Sequence, residues 1–180
     1  MALIIENDVK NRFLSQNVVL DAYEKTLNYL SREVDYRGFV EEKGWAHSVA
    51  HGADLLDAFV KHPFIVEFGV ALEAIEPFIM RKDGVYIDNE DERLAFPLVE
   101  MVNRGLKTTE LNRLIEKLVQ MVREEKINVS YTPSFFHLRT NVSDFLKTLY
   151  FRFKFKGISA PFEEEIEAAL KTIHEDIYGT

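Results

Sequence analysis

The strongest constraint on this chain is the spacing of its apolar residues, which recur three and four positions apart in about seven separate segments. That period matches the α-helical turn and gathers such residues into one stripe. The first segment runs from about Val18 to Val34, with Leu20, Tyr23, Leu27 and Leu30 aligned. The second covers about Lys43 to Lys61. A third follows Pro63, whose missing N–H suits a first helical turn. It carries Phe64, Phe68, Leu72 and Ile75 until Pro77 kinks or ends it. A fourth occupies about Asp91 to Asn103, with Pro97 inside it and Gly105 as its stop. Thr108, whose hydroxyl can accept an orphan backbone N–H, caps a fifth with an apolar face from Leu111 to Val122. Pro133 opens a sixth through Leu149, closed by Gly157. Pro161 begins a seventh that runs to about Tyr178, with Glu163, Glu164 and Glu165 at its positive dipole end.

These segments predict an all-α chain of about seven helices in packed antiparallel hairpins. In architecture that array is HEAT- or armadillo-like, although the pairs show no internal sequence repeat. At 180 residues the expectation is one helical domain over 1–180. One stretch, Tyr150 to Lys156, alternates apolar and polar residues as a strand does. With no strong pairing partner elsewhere it is assigned to the sixth helix, because a lone strand is not stable.

Composition narrows the function classes. A net charge of −8 speaks against general nucleic-acid binding, which needs a cationic face. The absence of cysteine excludes disulfides and thiolate metal sites and favours a cytoplasmic location. The opening Met1-Ala2-Leu3-Ile4-Ile5 lacks the basic start and length of a signal peptide. No apolar run approaches the ~20 residues that span a bilayer.

The least ordinary segment runs from Gly44 to Asp57. Wound as a helix, it puts Trp45, Val49, Ala53, Leu56 and Val60 on a core stripe and His47, His51, Asp54 and Ala58 on the opposite side. A solvent face there would be rich in Lys, Glu and Arg. Ala46, Ala50, Gly52, Ala53 and Ala58 permit close approach by another backbone or a ligand. Gly52 costs about 1 kcal/mol against Ala inside a helix, so packing on both sides is expected to offset it.

Three functional readings follow for this face. His47 and His51, four apart, could bind a divalent metal with Asp54, although Ser48 stands where the zinc-protease motif carries its glutamate. The trio could instead form an acid–base or anion pocket for a small molecule, with Arg37 supplying positive charge. Or the face, Trp45 included, grips a peptide or partner helix, a second copy of the chain among the candidates. Against all three stands a structural reading, in which the histidines hydrogen-bond to Asp35, Asp54 or backbone carbonyls and lock two hairpins together. In the connection Glu33 to Val40, Asp35 and Arg37 are expected to brace the turn by pairing with each other.

The run Asp35-Tyr36-Arg37-Gly38-Phe39-Val40, followed by Lys43-Gly44-Trp45-Ala46-His47-Ser48-Val49-Ala50-His51-Gly52-Ala53-Asp54-Leu55-Leu56, closely resembles the core motif of the bacterial domain-of-unknown-function family 2785. The resemblance covers about Tyr29 to His62 and extends more thinly to Asp91–Leu94 and Thr140–Tyr150. It implies a helical, bacterial, cytosolic protein and carries no activity, substrate or cofactor. The resemblance also implies longer N-termini in the family, so this chain is expected to lack an N-terminal helical hairpin and to leave an apolar face near Leu14 to Leu20 open to a partner. The reading that results is a binding or scaffold module with a polar His/Asp seam, the alternative being an enzyme or metal-binding protein using His47, His51 and Asp54.

Two further features have plainer readings. The acidic run Asp88-Asn89-Glu90-Asp91-Glu92 lacks the glycine and bidentate glutamate of a calcium loop and is expected to cap the next helix. Arg152, Lys154 and Lys156, interleaved with phenylalanines, could touch a membrane or nucleic acid, but three charges are few and core packing of the rings is the expected reading.

Overall fold

The computed structural model describes residues 1–158 and 160–179, with only the backbone at Ala160 and Pro161. Among the described residues there are eight helices: α1 (Ala2–Asn11), α2 (Gln16–Leu30), α3 (Ser48–Val60), α4 (Gly69–Ile79), α5 (Glu90–Asn103), α6 (Thr108–Val129), α7 (Pro133–Lys156) and α8 (Ala160–Tyr178). The all-α class therefore holds. A minimal antiparallel hairpin of β1 (Phe39–Val40) and β2 (Gly44–Trp45) stands between α2 and α3. None of the described helices is long and apolar enough to cross a membrane.

The chain falls into two compact units. The first comprises Met1–Ile75 with Ile87–Gly105, and the second Glu76–Tyr86 with the residues from Leu106 onward. In the first, α3 is central and packs chiefly on α5, then on α1 and α2. Its sequence explains why: Val49, Ala50, Gly52, Ala53, Leu56, Ala58, Phe59 and Val60 are all buried, so apolar or small residues cover more than one stripe. Gly52 is the point of closest approach. A Cβ there would meet Leu30 Cδ2 of α2 at 2.6 Å, so packing against a second helix offsets the glycine's helix penalty, as expected.

The first unit also contains a fully buried carboxylate–imidazole hydrogen bond. Asp8 of α1 and His62, just past α3, each have no exposed surface, and Asp8 Oδ2 lies 2.9 Å from His62 Nε2. The backbone N–H of Phe64 donates to Nδ1 at 3.2 Å, which leaves Nε2 to carry the hydrogen given to the carboxylate. Asp8 Oδ1 accepts from Phe13 and Leu14 N–H, both at 2.6 Å, ordering the turn after α1.

In the second unit α6, α7 and α8 pack on one another. Asn141 of α7, 3% exposed, fixes the turn after α4. Its Oδ1 accepts from Tyr86 N–H, and its Nδ2 donates to the Arg81 and Gly84 carbonyls.

Several expectations need correction. The N-terminal segment forms α1, which the apolar spacing did not mark. The first predicted helix stops at Leu30 rather than near Val34, and the third starts at Gly69 rather than after Pro63. Lys107, not Thr108, caps α6, and its N–H donates to the Glu110 carboxylate at 3.3 Å. The Tyr150–Lys156 alternation is helical, as assigned, and Gly157 closes α7 in the left-handed conformation. Its phenylalanines do not all enter the core: Phe153 is buried, whereas Phe151 and Phe155 are exposed.

Candidate functional site

The second predicted helix begins five residues later than its wheel required, and this changes the site. Gly44 and Trp45 pair with Val40 and Phe39 in the hairpin, and His47 is the residue that starts α3. Trp45 is therefore not on a core stripe. It is 59% exposed, and Phe39 opposite it is 55% exposed. The two rings meet edge to face at 5.2 Å, a stabilising cross-strand arrangement.

Backbone bonds prolong the hairpin toward α3, from Ala46 N–H to the Gly38 carbonyl and from His47 N–H to the Arg37 carbonyl. His47 then takes a left-handed conformation (φ 50°, ψ 32°). That is an unfavourable state for a residue with a Cβ, and tertiary contacts must hold it there. Its carbonyl accepts the first helical bond, from His51 N–H at 3.0 Å. Its Nε2 donates to the Asp88 carbonyl at 3.2 Å and lies 3.5 Å from Glu90 Oε1.

The result is a row of four rings. Phe39 contacts Trp45, Trp45 stacks on His47 at 4.6 Å, and His47 meets His51 edge-on at 6.0 Å. His47 is the mostly enclosed hinge of the row, while His51 is exposed.

Under the rings lies a polar base supplied by the acidic run. Asp88 Oδ2 accepts from Phe39 N–H at 2.9 Å, and Glu90 Oε2 accepts from Asp88 N–H at 3.0 Å. Gly38 makes room for both carboxylates: a Cβ there would stand 2.8 Å from Asp88 Cγ and 2.8 Å from Glu90 Oε1. The run also caps α5 as expected, through Asn89 as N-cap and Asp91 and Glu92 in the first turn.

The remaining predicted residues go elsewhere. Asp35 and Arg37 brace the turn by pairing with each other, at 2.8 Å and 2.6 Å through two guanidinium nitrogens. The Arg37 side-chain and backbone hydrogen bonds hold the Asp35 carboxyl at about 2. The Asp35 carbonyl accepts from Ser48 Oγ, tying the turn to the first residue of α3. Asp54 turns to Arg93 of α5, both its oxygens accepting from one nitrogen at 2.8 and 3.1 Å. His47, His51 and Asp54 are thus not brought to one point. Among the described residues no three His, Asp or Glu side chains are grouped to hold a metal ion.

Sequence reasoning gave Gly38, Phe39 and Arg93 no role in this site, and Asp88 and Glu90 only that of capping the next helix. A signal for Asp88 and Glu90 existed in the acidic run, but its target lay about 40 positions upstream. Chemically, the carboxylates of Asp35, Asp54, Asp88 and Glu90 are all engaged, and what faces outward is Trp45, Phe39 and His51.

A family model described as a protein of unknown function (DUF2785) matches residues 1–151. The chain belongs to that family, and the motif that suggested it, Asp35 to Leu56, is the segment that builds the hairpin and the start of α3. No curated protein and no solved structure matches the chain.

Proposed function

We propose that this member of the DUF2785 family is a binding module whose recognition surface is the hairpin and first turn of α3, and whose ligand is a polypeptide segment carrying basic side chains. One observation carries the reading: Trp45 and Phe39 are more than half exposed yet held in a fixed row of rings on His47. Rigid, exposed aromatic side chains with few rotatable bonds are the groups that supply most binding energy in protein recognition.

Charge selects the partner. Glu41 and Glu42 outnumber Lys43 at the exposed hairpin turn, and the two nearby arginines, Arg37 and Arg93, are already paired with Asp35 and Asp54. An Arg or Lys side chain of a partner can lie on the indole face while its charge meets those glutamates. The cysteine-free composition and the family resemblance support a bacterial, cytoplasmic setting.

Trp45 is the single tryptophan of the chain, so its fluorescence reports on this surface alone. Titration with an oligo-arginine peptide should shift its emission saturably, less so at high salt, and an oligo-glutamate peptide of equal length should not. Phe39→Ala should weaken the effect. No emission change, or the same change with both peptides, would overturn the proposal.

A further inference from the structure

A second exposed aromatic surface lies in the other unit, and the ring row does not account for it. Phe151 and Phe155 sit one turn apart near the end of α7, 50% and 81% exposed, with ring centroids 5.9 Å apart. Apolar rings at an exposed i, i+4 pair gain little from folding, so their placement needs another reason. Lys147, Tyr150 and Lys154 fall on the same side of the helix, and Lys156 follows at its end.

The charge of this surface runs against that of the chain. In a protein of net charge −8, Lys154 and Lys156 are exposed and, among the described residues, neither meets a carboxylate. Lys154 lies instead against Tyr150, its Nζ 5.3 Å from the ring centroid. Lys154 beside two projecting phenyl rings, with Lys156 at the helix end, makes a basic, apolar face on the outside of α7.

We propose that this end of α7 docks the protein on an anionic lipid bilayer surface, with Phe151 and Phe155 entering the headgroup–acyl boundary and Lys154 and Lys156 meeting lipid phosphates. A bilayer interface accepts projecting rings without shape matching, and long lysine stems let the charge stay at headgroup level while apolar neighbours go deeper. Asp144, on the same side of α7, is already paired with Lys147, and the glutamates that open α8 are screened from the lysines wherever they stand beyond about 8–10 Å at physiological salt. Nucleic acid fits less well. Phe151 and Phe155 lie against each other, leaving less open ring face for bases, and two lysines provide no extended track for phosphates. The contact is weak and reversible, as expected of one helix end with two rings and two charges.

The test is co-sedimentation of the full chain with vesicles of phosphatidylcholine alone or of phosphatidylcholine with phosphatidylserine. Binding is expected to the phosphatidylserine vesicles and to fall at high salt. Each of Lys154→Gln and Lys156→Gln should reduce partitioning about fivefold. Phe151→Ser/Phe155→Ser should abolish it while far-UV circular dichroism is unchanged. Should that double variant unfold, Phe155→Ser alone, at the more exposed ring, should still lower binding severalfold. No binding by the wild type, binding indifferent to phosphatidylserine, or full binding by a folded phenylalanine variant would overturn the proposal. So would preferential capture of the same face by oligo-glutamate or a DNA oligonucleotide in competition with the vesicles.

Discussion

Gly38→Ala is the substitution that best isolates how the ring row is supported. Gly38 is needed there for space rather than for backbone freedom: the new methyl would stand 2.8 Å from Asp88 Cγ and 2.8 Å from Glu90 Oε1. Glu90 is 2% exposed and has nowhere to retreat, so the Asp88 carboxylate must swing away and release the Phe39 N–H. A hydrogen bond to a charged group contributes about 1.5–3 kcal/mol. Replacing Gly by Ala returns about 0.4–1 kcal/mol by restricting the unfolded chain. The balance is a loss of about 1–2 kcal/mol.

Urea unfolding followed through Trp45 fluorescence checks this, because that single indole sits on the affected hairpin. The chain has two compact units, so the fluorescence transition is to be fitted separately from the far-UV signal. The decisive measurement is the double-mutant cycle with Asp88→Ala. With the Asp88 carboxylate gone only the Glu90 contact remains, so Gly38→Ala should cost less in that background than in the wild type, giving a coupling of about 1 kcal/mol or more. Costs that add within about 0.5 kcal/mol, or a Gly38→Ala variant more stable than the parent, would refute the reasoning.

Three other outcomes follow from single observations. His47→Gly should be more stable than His47→Ala by about 1 kcal/mol in urea unfolding, because glycine relieves the left-handed backbone at that position and alanine does not; equal stabilities would count against it. Tyr23→Phe should be neutral or gain up to about 1 kcal/mol, since the Tyr23 hydroxyl is buried with no hydrogen-bond partner among the described residues and burial pushes it up to about 12; a clear loss would mean that a partner exists. Burial opposes the charge of Asp8, but bonds from Leu14 N–H, His62 and Phe13 N–H outweigh it and hold the carboxyl below its ordinary value. Its stabilisation is therefore complete above the unfolded carboxylate pKa and lost as pH falls through the lower folded one, so the advantage of wild type over Asp8→Asn should shrink on acidification; an advantage that grows as pH falls would contradict the assignment.

What the sequence made legible was the local part of the fold. Helical spacing located seven of the helices, with ends displaced by as much as about six residues where loops intervened, and the lack of a pairing partner correctly decided Tyr150–Lys156. What stayed hidden was set by long-range partners. α1 offers only the run Leu3-Ile4-Ile5 and one buried aspartate, whose partner His62 is 54 positions away. The hairpin was absorbed into a helix because Trp45 falls in phase with Val49 and Ala53. Its contrary signals were weak: two-residue strands, Gly44, and a left-handed Glu42, a residue type that does not advertise that conformation. Asp54 looked free for chemistry because the cation that takes it, Arg93, sits on another helix.

The corrected hairpin also sharpens where function is to be sought. Had the segment been helical, the histidines would have been the reactive groups and the tryptophan mere packing. Instead polar residues of the motif and of the acidic run are used to hold the backbone: Asp35 on Arg37 and Ser48, Asp88 on Phe39, and His47 on the Asp88 carbonyl. Two aromatic rings, each more than half exposed, bury too little here to justify that scaffold as a contribution to folding. On the proposed function, fixing them before an encounter lowers the entropy lost when a partner covers them, a gain that would appear in affinity rather than in stability. Trp45→Ala should accordingly leave the urea midpoint, followed by far-UV circular dichroism, close to that of the wild type while abolishing the oligo-arginine interaction measured by calorimetry. Equal damage to both would place Trp45 back among the structural residues.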